Sequence, residues 1–163
     1  KIDIKKQIRF LLTNLQSKEK VLVHRDFHVS NLMKYKNKIG VIDSQDALIG
    51  NRAYDLASLI DDVRFKTDEI FKNKIYRYYL KLNKKRLNET TLLSDFEILS
   101  ILRNMKIIGI FTRLAMRDKK KQYLKLIPYA WKLIELRISN NKKFSELKSL
   151  LELNFSKKIR NQK

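Results

Sequence analysis

The residues best equipped for chemistry lie in one octapeptide, His24-Arg25-Asp26-Phe27-His28-Val29-Ser30-Asn31, which follows the apolar run Val21–Val23. The Asp26 carboxylate can accept or orient the proton of an attacking hydroxyl. Asn31, five positions on, offers an amide oxygen to a magnesium ion bridging nucleotide phosphates. Asp43 closes the apolar run Ile39–Ile42 and would supply a second oxygen ligand from an adjacent strand end. Together these residues suit phosphoryl transfer, which asks for positioning and charge neutralisation more than for a covalent intermediate. Each residue alone has a plainer reading, because an Asp after a strand is commonly a turn residue or a helix cap. The fixed order of strand, Asp–Asn loop, two strands and a further Asp constrains spacing and context together, and favours the chemical reading.

Neighbouring side chains divide between support and contact. His24, at a strand end, reads as a residue that holds the loop by hydrogen bonds. His28 can touch phosphate or acceptor, or support a residue that does. Asp46 can reach a substrate or close a turn. Tyr76, Tyr78 and Tyr79 could stack on a sugar, but helical spacing places at least one of them in the core. Trp131 is expected in the core beside Leu133 and Ile134.

The elements that must position these groups follow from periodicity. Ile4, Ile8, Leu11, Leu12 and Leu15 have the spacing of an amphipathic helix over 4–15. Short strands are expected at Val21–His24, Leu32–Tyr35 and Lys38–Asp43, with polar loops at Arg25–Asn31 and from Ser44 to about Arg52. From Tyr54 the pattern turns helical, with helices predicted at 54–65, 68–82, 94–117, 121–138 and 144–153. In the third of these, Ile98, Ile101, Leu102, Met105, Ile108 and Leu114/Ala115 trace a buried face. Thr67-Asp-Glu and Ser94-Asp-Phe-Glu read as N-terminal caps, and Pro128 should start or kink a helix. The polar stretch Ser156–Lys163 should fray.

Composition narrows the classes. With 163 residues, 44% of them hydrophobic, the chain can bury a core. Three Gly and one Pro disfavour a turn-rich β-sandwich or barrel. The lack of Cys removes disulfides, thiolate zinc sites and cysteine nucleophiles. Lys or Arg interrupts every apolar run before membrane-spanning length, so no membrane partner is expected and a cytoplasmic protein is. The start at Lys1, with neither Met nor a signal pattern, reads as a piece of something longer. The net charge of +20 suggests an anionic partner. Its spread through every segment, without interleaved aromatics, instead favours a compositional habit over nucleic-acid binding.

The loop HRDFHVSN has the form H-x-D-x-H-x-x-N, and VIDSQDALIGNRAYDLASL has a strand ending in Ile-Asp, a short loop and a Tyr-Asp-Leu-Ala helix. In both, the chain resembles the C-terminal lobe of the aminoglycoside phosphotransferase and choline kinase superfamily, relatives of the protein kinases. The resemblance implies ATP and Mg2+ as cofactors, Asp26 as catalytic base and Asn31 and Asp43 as magnesium ligands. It makes Asp55 a structural acid bracing the catalytic loop, with Arg25 or His24 as its partner. His28 stands where the protein kinases have Lys, and only 12 positions separate Asp43 from Asp55. That leaves no room for a long activation segment, so a small-molecule acceptor is implied.

Over residues 20–136, including the run LRNMKIIGIFTRLAMRDKKKQYLKLIPYAWKLI, the chain resembles bacterial cell-wall amino-sugar kinases. These phosphorylate N-acetylmuramate and N-acetylglucosamine at the anomeric hydroxyl. In this superfamily helical insertions line the acceptor pocket, which implies acceptor contacts among Arg103, Asn104, Lys106 and Arg113. Two departures stand out. Ser44-Gln45 follows Asp43 where the group commonly has Phe-Gln. There is also neither a Gly-rich phosphate loop nor a strand with an ATP-anchoring Lys, so the N-terminal ATP lobe is missing and this chain alone should catalyse little.

The expected fold is therefore α+β, mainly α: a small β-platform carrying the catalytic and metal loops, followed by a helical body. Residues 1–155 would form one lobe, with 20–55 the catalytic core and 56–155 the acceptor-binding part. The expected partners are a nucleotide and a sugar acceptor. An aminoglycoside or aminoalcohol acceptor is the alternative within the class, although the few clustered carboxylates, Asp61-Asp62 and Asp68-Glu69, suit a cationic acceptor less well. A non-catalytic basic binding module is the alternative outside it.

Overall fold

The computed structural model describes residues 3–83, 87–139 and 141–161. It is α+β and mainly helical, and its contacts gather into two compact units, 15–99 and 1–14 with 100–163.

The first unit carries all the strands. The β-branched run before the polar octapeptide forms β1 (Val21–Val23). Beyond the octapeptide, β2 (Leu32–Tyr35) and β3 (Lys38–Val41) form an antiparallel hairpin, with Leu32 opposite Val41 and Tyr35 opposite Lys38. Its turn places Lys36 at φ 51°. The polar stretch from Ser44 to Arg52, expected as loop, contains a fourth strand, β4 (Leu48–Gly50), antiparallel to β1 with Val21 opposite Gly50. Three residues are too few for an alternation to register, and partner pairing rather than propensity makes this strand.

Helices α1 (Ile4–Thr13), α2 (Ala53–Ile60), α3 (Glu69–Asn83) and α4 (Glu89–Met116) follow the expected order with shifted ends. α2 stops at Ile60 rather than near 65 because the Asp62 Oδ1 atom captures the Arg64 amide at 3.0 Å, a local alternative to helix continuation. Asp68 caps α3 by accepting from the Phe71 amide at 2.7 Å. α4 begins before the predicted Ser94: Asn88 is its cap, accepting from the Thr91 amide at 3.0 Å. Thr90 and Thr91 are weak helix formers that hide this start in the sequence. Its fully buried positions include Ile98, Ile101, Ile107 and Phe111, whereas Leu102, Met105 and Ile108 are half-buried.

α2, α3 and the first turns of α4 enclose the core of the first unit, formed by Ala53, Leu56, Ala57, Ile60, Tyr76, Leu92, Phe96 and Leu99. Beside it, Lys72 is buried with its ammonium on the Ile60 carbonyl (2.5 Å) and Asp61 Oδ1 (3.1 Å). Of the three tyrosines, Tyr76 is buried against Phe96, Tyr79 packs partly on the core and Tyr78 is exposed.

Burial, with a smaller contribution from Glu89, pushes the Tyr76 phenol up to about 12 from its ordinary 10.0. A raised folded-state pKa contributes stability that is complete below pH 10 and lost as pH rises through the folded value. The wild type should therefore lose up to about 1.4 kcal/mol per pH unit in this window relative to Tyr76→Phe. Because the Tyr76 hydroxyl has no hydrogen-bond partner among the described residues, the variant should be at least as stable at neutral pH. Denaturation midpoints of both proteins between pH 10 and 12 check this. Parallel curves would rule it out.

In the second unit α5 (Ile127–Ile138) carries Pro128 in its first turn, after the tighter helical turn Lys121–Leu126, so the predicted 121–138 helix is two elements. α6 (Ser145–Asn154) packs on α1, where Gln7 donates to Glu146 at 2.8 Å. Where polarity predicts a frayed tail, Lys157–Arg160 forms a short helix, α7. The reason is Arg160, which is buried over the Trp131 ring and bonded to Glu135 (2.8 Å) and the Phe155 carbonyl (2.7 Å). Trp131, Leu133 and Ile134 are core, as their periodicity predicts. Among the described residues no helix is long and apolar enough to cross a membrane.

Candidate active site

Asp26, Asn31, Asp43 and Asp55 all belong to the first unit and share one framework. β1 delivers the octapeptide, whose first two amides both donate to Asp55: His24 to Oδ2 at 2.7 Å and Arg25 to Oδ1 at 3.0 Å. The acid in the first turn of α2 thus grips the loop through its backbone, rather than through the side chains of Arg25 or His24. Charge-assisted bonds of this kind are the strong ones, and the backbone here needs them. Arg25 has φ 73°, a left-handed conformation that costs an L residue roughly 1–2 kcal/mol. The Arg25 side chain reaches the Asp46 carbonyl at 3.4 Å. Asp46 itself is exposed, next to the turn closed by the Ala47 amide on the Ser44 carbonyl.

Within the loop, the Asn31 amide group donates to the Asp26 carbonyl at 2.9 Å and fixes the loop's span. His28 is buried, its backbone amide on the Asp26 carbonyl (3.0 Å) and its carbonyl under the Asn31 amide (2.9 Å). The Asp26 carboxylate accepts no hydrogen bond from the described residues and is half-buried. It is held through its backbone carbonyl, on which the Asn31 side chain and the His28 amide both donate.

The hairpin brings the third residue in. Continuing the β2–β3 register by one step sets Asn31 opposite Ile42, and the Ile42 amide donates to the Asn31 carbonyl at 3.1 Å. The His24 Nε2–H meets the Ile42 carbonyl at 2.9 Å, tying the loop to the same strand end. Asp43 is the next residue. It has φ 69° and is exposed, with its Oδ1 accepting from Gln45 Nε2 at 2.8 Å. Ser44, which follows it, is exposed as well.

The donor chemistry fits a magnesium ion. Asn31 Oδ1 and Asp43 Oδ2 are oxygens that accept no hydrogen bond from the described residues. Two such hard ligands at the base of one hairpin are of the kind that would hold Mg2+ together with water and phosphate oxygens.

Residues 2–90, more than half of the chain, match the model of the phosphotransferase enzyme family. The chain belongs to that family. Within the phosphotransferase family it is 40% identical, over 123 residues, to an N-acetylmuramate/N-acetylglucosamine kinase of Neisseria meningitidis, covering 72% of this chain and 37% of that protein. It is 31% identical over 146 residues to the protein of the same description from Pseudomonas aeruginosa, covering 86% of this chain and 43% of that one. A third, from Caulobacter vibrioides, is 33% identical over 116 residues, 68% of this chain and 32% of its own length. The chain thus spans less than half the length of the curated relatives it matches.

The phosphotransferase match covers most of the unit that holds Asp26, Asn31, Asp43 and Asp55, while Arg103, Asn104 and Arg113 lie beyond the match and belong to the other unit. Arg103 is buried, Asn104 is fully buried with its amide on the Ser100 carbonyl (2.9 Å), and Arg113 is exposed. Sequence reasoning passed over Asn51 and Asp95. Asp95 was expected to cap a helix but lies inside α4, fully buried, where it accepts from the Gln16 amide (2.7 Å), the Ser17 amide (2.9 Å) and Asn51 Nδ2 (2.7 Å).

Proposed function

We propose that this chain is the C-terminal lobe of a protein-kinase-like small-molecule kinase. In this reading, residues 20–55 are its catalytic core and 56–155 the helical part that binds the acceptor. The reaction is magnesium- and ATP-dependent transfer of the γ-phosphoryl group to a hydroxyl of an N-acetylated amino sugar, in the cytoplasm where ATP is supplied. The observation that carries the reading is the joint placement of three groups: a carboxylate without a protein partner on Asp26, and the open oxygens of Asn31 and Asp43 at the base of one hairpin. The relatives' described acceptors supply the substrate class, and their greater length leaves room for an ATP-binding lobe outside this chain.

The chemistry assigned to these side chains is simple. Asp26 accepts a hydrogen bond from the acceptor hydroxyl, aligns its oxygen with the γ-phosphorus and takes the proton as the new P–O bond forms. The bond to the β–γ bridging oxygen breaks, and ADP leaves with that oxygen. Asn31 and Asp43 would hold Mg2+, which when bound offsets phosphate charge. Asp55 and His24 keep the two loops in register, and Arg103, Asn104 and Arg113 are candidates for acceptor contact. His28, buried beneath the loop, supports it.

The test uses the intact enzyme, including any sequence upstream of Lys1. ADP release is followed with magnesium-ATP and N-acetylmuramate, N-acetylglucosamine or kanamycin. Turnover on the acetylated sugars and none on kanamycin is the expected result. Turnover on kanamycin alone transfers the assignment to an aminoglycoside acceptor, and silence with all three from folded protein defeats the kinase reading.

A further inference from the structure

Asp95 repeats, at the far end of β1, what Asp55 does at the near end. Asp55 accepts from two consecutive amides, His24 and Arg25, just after the strand. Asp95 accepts from two consecutive amides, Gln16 and Ser17, a few residues before it. The two acids are linked. Asn51 donates from Nδ2 to Asp95 at 2.7 Å and accepts at Oδ1 from the Ala53 amide at 3.0 Å. Ala53 is the first residue of α2, and Asp55 lies in that first turn. Asn51 also directly follows β4, the partner of β1.

This is an expensive way to hold a turn. Asp95 has no exposed surface and makes no ion pair among the described residues. Its charge is met only by amide donors, and burying a carboxylate is unfavourable unless its hydrogen bonds are nearly complete. A buried polar network that satisfies its members specifies one arrangement of the elements it joins. Here those elements are the entry to β1, the exit from β4 and the start of α2, which between them place the His24–Arg25 start of the loop that carries Asp26.

We propose that Asp95, acting through Asn51, is a positioning residue for phosphotransfer: it fixes the first turn of α2, hence the Asp55 carboxylate, hence the left-handed Arg25 and the direction of Asp26. The inference rests on the proposed function for its kinetic readout, but not for its structural one.

The test compares Asp95→Asn, Asn51→Asp and the double exchange in the intact enzyme, with Leu92→Ala as a control. Leu92 is a buried core residue one turn earlier on α4 and touches no reacting group. Asp95→Asn sets two amide groups against each other, and Asn51→Asp sets two carboxylates. The double exchange restores an amide–carboxylate pair between the two side chains, but still sets a side-chain N–H against the backbone amide of Gln16 or Ser17. Each single variant should lower kcat by roughly 10–100-fold with KM little changed, the scale expected for a misplaced catalytic group. Each should also speed hydrogen exchange at the His24 and Arg25 amides by about tenfold or more. The double exchange should do better than Asp95→Asn alone on both readouts, recovering the part that belongs to the side-chain pair, and Leu92→Ala should lower the thermal midpoint without either effect.

If Asp95→Asn loses stability as Leu92→Ala does, yet keeps kcat per folded molecule and full amide protection, the proposal is overturned. Should the wild type phosphorylate none of the three acceptors, the function reading fails, and amide exchange alone then decides this one. If Asp95→Asn does not fold, Asn51→Ser carries the same comparison, because a serine can still cap α2 but reaches less far toward Asp95.

Discussion

Asp26→Asn in the intact enzyme should lower turnover by roughly 10²–10⁴-fold, the range for loss of a general base, while leaving the thermal midpoint essentially unchanged. The separation follows from the loop's construction. The ties that shape the loop bond to its backbone or come from side chains other than Asp26: the Asp55 carboxylate on the His24 and Arg25 amides, the Asn31 amide group on the Asp26 carbonyl, and the His24 ring on the Ile42 carbonyl. The Asp26 carboxylate takes part in none of this, so an isosteric amide removes proton acceptance and little else. Steady-state rates beside a melting curve decide the matter. A rate within a few-fold of wild type would remove Asp26 from the reaction, and a collapsed melting curve would show it to be structural.

Asp43→Ala should abolish magnesium-dependent turnover, because it deletes the only carboxylate of the proposed ligand pair. The Ala variant alone is ambiguous, however. Asp43 has φ 69°, where Ala pays a steric penalty of roughly 1–2 kcal/mol that Asp and Asn partly escape. Asp43→Asn keeps the backbone preference and loses the charge. It should fold as the wild type does and require a much higher magnesium concentration for whatever rate remains. A magnesium titration of both variants checks this, and an unaltered magnesium dependence in Asp43→Asn would defeat the ligand assignment.

How much of this was legible in the sequence depended on what kind of interaction held each part. The octapeptide, the Ile39–Ile42 run and Asp43 were readable because residue type and order express them directly. The helices 4–15 and 94–117 showed in period 3.6, and Pro128 and Asp68 marked the starts of α5 and α3. β4 was not readable, since Leu48–Gly50 becomes a strand only by pairing with β1. The start of α4 hid behind threonines whose intrinsic preference opposes a helix. The tail was misjudged because Arg160 looks like a solvated charge in sequence, whereas Trp131 and Glu135, some 25 residues earlier, give it a buried seat. Asp95 was misassigned for the same reason: a side chain that bonds across 79 residues leaves no local trace.

The hairpin that carries Asn31 and Asp43 also sets rules for changes in chain length. Both residues lie at its base, and the turn at Lys36-Asn37 is its far end. A residue inserted into one strand alone would invert the faces of every residue beyond it and shear the pair apart by a rung of about 3.4 Å. Residues added in matched pairs at the tip would leave the base where it is. Within the strands the spacing between Asn31 and Asp43 can therefore vary only by matched pairs, whereas the turn at Lys36-Asn37 can lengthen by any number of residues without changing the register that sets its oxygens.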